Sequence, residues 1–467
     1  MKSGNADGGK EPQFKTNAIS GKERRLGNLQ TPESIQRLQT ALHVKAKEEP
    51  NYRFYLLYDK IYRTDILRYA YQCCKANQGV AGVDGMQFER IEAYGEERWL
   101  GELAERLKRK DYQPEAVKRV WIPKPNGKLR PLGIPTITDR VIQTAVMSVL
   151  EPIFEADLQP EQYAYRPNRS AQDAVGAVHR LLVTGHRQVI DADLSGYFDT
   201  IPHPELMKSM ARRIVDRPML HLIKQWLEAP VEETDKRGHR HRTTANRDAK
   251  RGTPQGSPIS PLLSNVYMRR FILGWKQKSY DKRRCSARIV NYADDFVICC
   301  KDHAEAIMNA MREMIVKLKL TVNDEKTHLC RIPQERFDFL GYTFGRCYGP
   351  TGRVYLGTRP SRKSIARMVN NISKETDRRR VILEADYVVK RLNQKLTGWA
   401  NYFRLGQVSP AYRAVDSHVK QRLRRWLCKK HKVRGKGERH YPDQYLYNEL
   451  GLVNLPIRTH NFPWAKT

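Results

Sequence analysis

The sequence has little acid for its base. Its 467 residues hold 51 Asp and Glu against 84 Lys and Arg, a net charge of +33. A surplus of that size points to a polyanionic partner. Long apolar runs are also missing: none approaches the ~20 residues that a membrane helix needs, and the mean hydropathy is −0.69. No membrane partner is expected. The opening stretch, MKSGNADGGKEPQFK, has no apolar core, which argues against a secretory signal. None of the eight cysteines stands in a C-x-x-C pair, and Cys73-Cys74 and Cys299-Cys300 are directly adjacent. That distribution fits neither a disulfide framework nor a zinc ribbon. It predicts reduced, mostly buried thiols in a cytoplasmic protein, of the cytosol or nucleoid. Apolar material is nonetheless present: hydrophobic residues make up 40%, which excludes wholesale disorder. The length fits about two to four domains.

Along the chain, residues 1–30 are rich in Gly, Asn, Lys and Gln and read as a flexible basic leader. Residues 31–76 read as a helical N-terminal extension. Thr31-Pro32-Glu33-Ser34 reads as an N-cap with Pro in the first turn, followed by Ile35, Leu38 and Leu42 at helical spacing. A second amphipathic stretch runs from Tyr52 to Cys74. NQGVAGVDG (Asn77 to Gly85) breaks the helical pattern. Val117 to Ile122 reads as a strand, and KPNGK (Lys124 to Lys128) carries the Asn-Gly hairpin signal. Asp139 is placed to cap a helix containing Ile142, Ala145, Val146 and Val149. Between Glu228 and Arg251 the sequence reads as a polar loop. Residues 361–440 hold 22 Lys and Arg against 6 Asp and Glu, a local excess of +16, which points to one face or domain that grips phosphates.

Two segments carry acids where apolar residues would be expected. In VIDADLSGYFD (Val189 to Asp199) an apolar approach ends in acids and a glycine, the pattern of a strand that delivers carboxylates to its end. In ARIVNYADDFVI (Ala287 to Ile298) two adjacent acids interrupt a β-prone run, the pattern of a hairpin with Asp294 and Asp295 at its turn. Unpaired carboxylates inside a sheet cost several kcal/mol, and neighbouring acids repel unless a cation lies between them. Hard divalent ions such as Mg2+ take oxygens from one or two carboxylates and from substrate phosphates. Two such ions ~3.5–4 Å apart clamp a phosphoryl displacement. Taken singly, an Asp-Asp turn or a helix-capping Asp193 explains either segment as well.

At YADD (Tyr292 to Asp295) the sequence resembles a reverse transcriptase, and block by block it is most similar to the group II intron-encoded reverse transcriptase/maturase family, of the type that lacks an endonuclease domain. The similarity runs through NQGVAGVDG, WIPKPNGKLRPLGIPTITDRVIQTAV (Trp121 to Val146), QYAYRPNRSAQDAV (Gln162 to Val175) and DADLSGYFDTIPH (Asp191 to His203). It continues in GTPQGSPISPLLSNVYM (Gly252 to Met268), LTVNDEKT (Leu320 to Thr327), FDFLGYTF (Phe337 to Phe344) and LNQKLTGWANYFRLG (Leu392 to Gly406). The resemblance implies an α+β right-hand polymerase. Fingers and palm, an antiparallel sheet with helices, would span 77–360, an α-helical thumb or maturase domain 361–430, and a basic nucleic-acid-binding tail 431–467. No paired-cysteine and histidine zinc arrangement follows His440, hence the endonuclease-lacking type.

The resemblance also implies roles. Asp193, Asp294 and Asp295 would be the catalytic trio and, with the carbonyl of Leu194, would hold two Mg2+ ions, with Mn2+ able to substitute. Lys124 and Arg130 would hold the nucleotide triphosphate. Phe198 would pack against its sugar, excluding a 2′-hydroxyl, or else belong to the core. Gln255 would contact nucleotide and template. Lys326 would lie near the triphosphate, or pair with Asp324 or Glu325. Asp191 and Asp199 read as structural. Arg422, Arg424, Arg425, Lys429 and Lys430 are the candidate RNA contacts, whereas Trp399, Tyr402 and Phe403 share one helical face and read as core. The expected partners are group II intron RNA, an RNA template, a DNA primer or target, and deoxynucleoside triphosphates, with a second copy of the chain as a candidate. The leading expectation is an RNA-directed DNA polymerase that also assists splicing and mobility of its intron by target-primed reverse transcription. A free-standing relative acting in DNA repair or phage defence, and an RNA-folding maturase without polymerase activity, are the alternatives.

Overall fold

The computed structural model describes residues 25–26, 29–123, 127, 129–235, 237–282, 286–349 and 351–459. Helices and strands are mixed, as the α+β expectation has it, and two four-stranded sheets organise the first three-quarters of the chain. The central sheet has the spatial order His328–Arg331, Gln188–Asp193, Asp295–Cys300, Arg288–Tyr292, all antiparallel. Phe296 to Cys300 are all at most 1% exposed, so this strand is apolar on both faces, as a sheet covered on both sides requires. Ile190, Ala192, Phe296 and Ile298 belong to the core shared with the helices Ile137–Glu155, Ser260–Gln277 and Ala304–Lys317. Val189, Val297 and Cys299 point the other way, into a cluster with the helix Ala171–Val183 and the sheet Phe337–Phe339, Tyr342–Tyr348, Val354–Pro360.

The second sheet runs Leu129–Ile134, Val117–Pro123, Val231–Thr234, Arg240–Thr243. Its first two strands form the expected hairpin. The last two lie where the sequence predicts a polar loop. That expectation fails because Val231–Thr234 pairs in parallel with Val117–Pro123 and buries Val231 and Glu232, at 4% and 5% exposure. Strand pairing with a distant segment leaves no trace in local polarity.

Other local expectations shift in the same way. The first helix is Glu33–Glu48, but Thr31 does not cap it; its hydroxyl is buried against the Tyr69 hydroxyl at 2.8 Å. Thr136, not Asp139, caps Ile137–Glu155, and Asp139 sits three residues in, hydrogen-bonded to the Thr136 hydroxyl at 2.9 Å. The stretch from Tyr52 to Cys74 is divided into Tyr58–Ile61 and Thr64–Ala76, with Tyr55 and Leu56 about 60% exposed.

The helices Arg362–Glu375, Ala385–Tyr402 and Ser409–Lys430 form a separate apolar core. The expected tail is no tail over its described part. Tyr441, Leu446, Leu452 and Leu455 are buried in that same core, because the chain after Lys430 carries enough apolar side chains to fold back. Trp399 packs against both this core and the cluster beneath the central sheet, and Phe403 is 7% exposed in the latter, which is the packing role read from their spacing. Every cysteine among the described residues is free, and all but Cys330 are buried. Among the described residues, no helix is long and apolar enough to cross a membrane.

Candidate active site

The two acid-bearing segments meet. In the central sheet Asp193 is the ladder partner of Asp295, and Asp295 is also the partner of Tyr292 across the hairpin. Directly opposed residues of an antiparallel pair have Cα atoms about 4.5–5.5 Å apart. Asp294 occupies the turn. Ala293 before it has φ +59°, which lets a two-residue turn close the hairpin. Asn291, 1% exposed, braces this turn: its amide donates to the Ala293 carbonyl at 2.8 Å. Its backbone is gripped by the Glu161 carbonyl and the Tyr163 N–H.

Beyond Asp193 the chain pairs briefly with Val322. The bonds there are Asn323 N–H to Asp193 carbonyl, 2.8 Å, and Ser195 N–H to Thr321 carbonyl, 2.9 Å. Alternation along an antiparallel pair then turns the Leu194 carbonyl away from Val322. The side chain of Asp193 accepts two bonds on one oxygen, from Lys326 Nζ at 2.7 Å and Asn323 Nδ2 at 3.1 Å. Lys326 therefore reaches the acid trio instead of pairing with its neighbours; Asp324 pairs with Arg312. Asn323 escaped the sequence reading, although its spacing of three residues from Lys326 would let a tight turn present both.

Crowded acids hold their protons more tightly. Asp295 is pushed up to about 6, by the protein packed around it first and then by the charges of Asp294 and Asp193, with Lys326 and Arg130 pulling the other way. Asp191, two residues before Asp193 on the same face, is pushed up to about 7 by burial first and then by Asp295, Asp193 and Asp338. Both shifts have the same two causes in the same order: burial of the carboxylate, then the like charges beside it.

The strand Leu129–Ile134 brings Arg130 close enough to act on Asp295 and Tyr165. Lys124 lies outside the described residues. Phe198 is half-buried beside Tyr197, their rings 5.7 Å apart. Its carbonyl accepts the Thr253 N–H at 2.7 Å, which ties it to the loop carrying Gln255. Gln255 donates to Asp199 at 3.0 Å, and its carbonyl takes the Gly133 N–H of the strand Leu129–Ile134. Tyr165, 51% exposed with φ +55°, borders the trio and was also missed; only its tertiary setting distinguishes it from any loop tyrosine.

Among the described residues no three His, Cys, Asp or Glu side chains form a ready-made metal cage. The donor set still suits a hard ion: it is all oxygen, and Mg2+ needs only one or two carboxylates when substrate phosphates complete its shell.

In the C-terminal core the five RNA candidates separate. Arg425 and Lys429 are exposed. Arg424 is 9% exposed, donates to the Tyr441 carbonyl at 2.9 Å and pairs with Asp443. It is a packing residue, because the fold-back of residues 431–459 covers it. Arg422 binds the Thr376 hydroxyl and the carbonyls of Ser373 and Thr376, and Lys430 the carbonyl of Leu383. Both are half-buried, closing the ends of neighbouring segments.

Comparison with known proteins agrees with this layout. Residues 122–344 match the family model "Reverse transcriptase (RNA-dependent DNA polymerase)", and residues 365–442 match "Group II intron, maturase-specific domain". The chain is 35% identical over 344 residues to protein YkfC of Escherichia coli, covering 66% of this chain and 87% of that protein. It is 30% identical over 350 residues to the group II intron-encoded protein LtrA of Lactococcus lactis, covering 62% of this chain but only 56% of that one. Sheet and helical core thus coincide with the two matched models, and the chain belongs to the group II intron-type reverse transcriptases/maturases.

Proposed function

We propose that the chain is an RNA-directed DNA polymerase that also binds group II intron RNA and assists its splicing and its mobility by target-primed reverse transcription. The observation that carries the reading is the opposition of Asp193 and Asp295 across the ladder, with Asp294 at the adjoining turn. Sheet residues bear such a concentration of like charge at a cost, and a polyanionic substrate with its cations offsets it. Asp193, Asp294, Asp295 and the Leu194 carbonyl would hold two Mg2+ ions, or Mn2+ in their place. Such ions, when bound, neutralise charge on the attacking and leaving oxygens of phosphoryl transfer.

The chain's own groups do the rest. Arg130, with Lys124, grips the triphosphate, for which a guanidinium fork is suited. Phe198 lies against the sugar and leaves no room for a 2′-hydroxyl. Gln255, fixed by Asp199 and Gly133, faces the nascent pair. Lys326 holds Asp193 in place and stands ready to donate a proton to departing pyrophosphate. Arg425 and Lys429 contribute exposed charge to the RNA grip. Residues 77–360 act as fingers and palm, and residues from 361 onward as thumb and maturase domain. A chain that only folded RNA would have no use for the trio.

Primer extension on poly(rA) with oligo(dT), Mg2+ and labelled dTTP tests the proposal. Incorporation is expected from the purified protein. Asp294→Asn should lower it at least ~100-fold, equivalent to about 3 kcal/mol of lost charge stabilisation, while intron RNA binding stays within a few-fold. No incorporation by the wild type would leave an RNA-folding maturase.

A further inference from the structure

The hairpin Val231–Thr234, Arg240–Thr243 has no part in the site described above, yet it extends the sheet that carries Arg130. Residues 235–251 hold seven Lys and Arg against two Asp. Arg240–Thr243 is the outermost strand and is exposed throughout. Charged side chains on such an edge commonly only deter pairing with other chains. Two features here go further than deterrence requires.

The first is anchoring. Glu232, whose side chain is 7% exposed, accepts from Arg242 Nε at 2.8 Å and lies 3.7 Å from Arg240 Nη1. Both arginines remain over 60% exposed. A buried carboxylate thus fixes one side of the Arg242 guanidinium by a hydrogen bond and holds Arg240 beside it by charge, while the rest of both faces solvent, an arrangement that reduces the entropy lost when a phosphate is gripped.

The second is direction. In the ladder Glu232 is the partner of both Lys118 and Arg242, Thr234 is the partner of Arg240, and Ile122 is the partner of Arg130. Opposed residues share a face, and so do alternate residues along a strand. Arg240, Arg242, Lys118 and Arg130 therefore line one face of one sheet. The step from Arg130 to Arg242 is four residues along and three strand spacings across, about 20 Å by ideal spacings. The hairpin is also rooted at the site. Just beyond it the Lys250 carbonyl accepts the His203 N–H, Gly252 N–H donates to Ile201, and Thr253 N–H to Phe198.

We infer that Arg240 and Arg242 form a phosphate track for the unpaired template strand, holding single-stranded RNA on the fingers sheet ahead of the acid trio without reading its sequence. The inference rests on the polymerase reading for its direction.

The test is binding of RNA template–DNA primer duplexes whose 5′ template overhangs are ~2 or ~12 unpaired nucleotides, lengths that bracket a typical single-strand site. The variant is Arg240→Gln with Arg242→Gln, which removes both charges and keeps at position 242 an amide that can donate to Glu232. For the long overhang, affinity should fall and the slope of log affinity against log salt should flatten by about 1.4, two phosphates at ~0.7 each. Binding and extension on the short overhang should match the wild type, which also reports an intact fold. An unchanged slope on the long overhang, or an equal loss on both, overturns the track. A wild type that shows the overhang-dependent gain but never extends a primer would instead count against the polymerase reading and leave the single-strand contact standing.

Discussion

Gly256 meets Gly133 backbone to backbone. A Cβ built at Gly256 would lie 2.5 Å from the Gly133 carbonyl oxygen, and Gly256 has φ +106°. Next to this contact the Gly133 N–H donates to the Gln255 carbonyl. The loop behind the acid trio is thereby fastened to the strand that carries Arg130, and only glycine fits at the seam.

Gly256→Ala should therefore prise this loop from the sheet that carries Arg130. The expected result is a rise of ~10-fold or more in KM for the deoxynucleotide, the equivalent of about 1.4 kcal/mol, with affinity for template–primer preserved. Steady-state kinetics at varied dTTP checks it. An unchanged KM would mean that the contact does not position the nucleotide site.

The basic C-terminal helix separates exposed cations from structural ones. Arg425→Ala with Lys429→Ala should flatten the salt slope of RNA binding by up to ~1.4–1.8 units, if both meet phosphates. Arg424→Ala should instead lower stability by about 1–3 kcal/mol, since it takes the side-chain donor from the Tyr441 carbonyl and leaves Asp443 to Lys420 alone, and should leave the slope of the folded fraction alone. Filter binding over a salt series, beside a denaturant titration, distinguishes the two.

Arg213 ties the N-terminal helix to the body of the protein. It is 2% exposed, and Nη1 donates to the carbonyls of Glu49, Pro50 and Tyr52. Nη2 donates to Ala46, and Nε lies 3.2 Å from Asp157. Arg213→Met removes these guanidinium donors and the ion pair with Asp157, at about 3–5 kcal/mol. Arg213→Lys should recover only part, because one ammonium cannot serve so many acceptors. Urea midpoints measure both.

Asp139 gives stability a pH dependence. Burial pushes it up to about 6 from its ordinary 3.8, against the opposing hydrogen bonds of Tyr112 and Thr136. The folded state thus binds this proton more tightly than the open chain does. Below about pH 4 the group is protonated in both states and costs nothing. Between about pH 4 and pH 6 the cost grows to the order of 3 kcal/mol, and it stays there above. Asp139→Asn removes that cost. The unfolding midpoint of the variant relative to the wild type should rise from pH 4 to 6 and level off above. A difference that ignores pH would show Asp139 to be as acidic in the fold as outside it.

By itself the sequence determined the family and much of the local structure. The blocks around Asp193 and Asp294-Asp295 carry their apolar flanks with them, so strand, turn and acid were legible together; alternation and chain composition are local properties. The same holds for the strand at Val117 and for the helical, basic last quarter of the chain. Tertiary structure alone decided which cations are free to bind. Arg424 and Arg425 are neighbours in sequence, yet one is covered by a returning segment and the other is not. It also made a strand pair of the polar stretch after Glu228, because a ladder needs a partner and that partner, Val117–Pro123, lies more than a hundred residues away. Lys326 found Asp193 rather than its neighbours for the same reason. Charge and periodicity are written residue by residue, whereas burial and pairing depend on what the rest of the chain brings alongside.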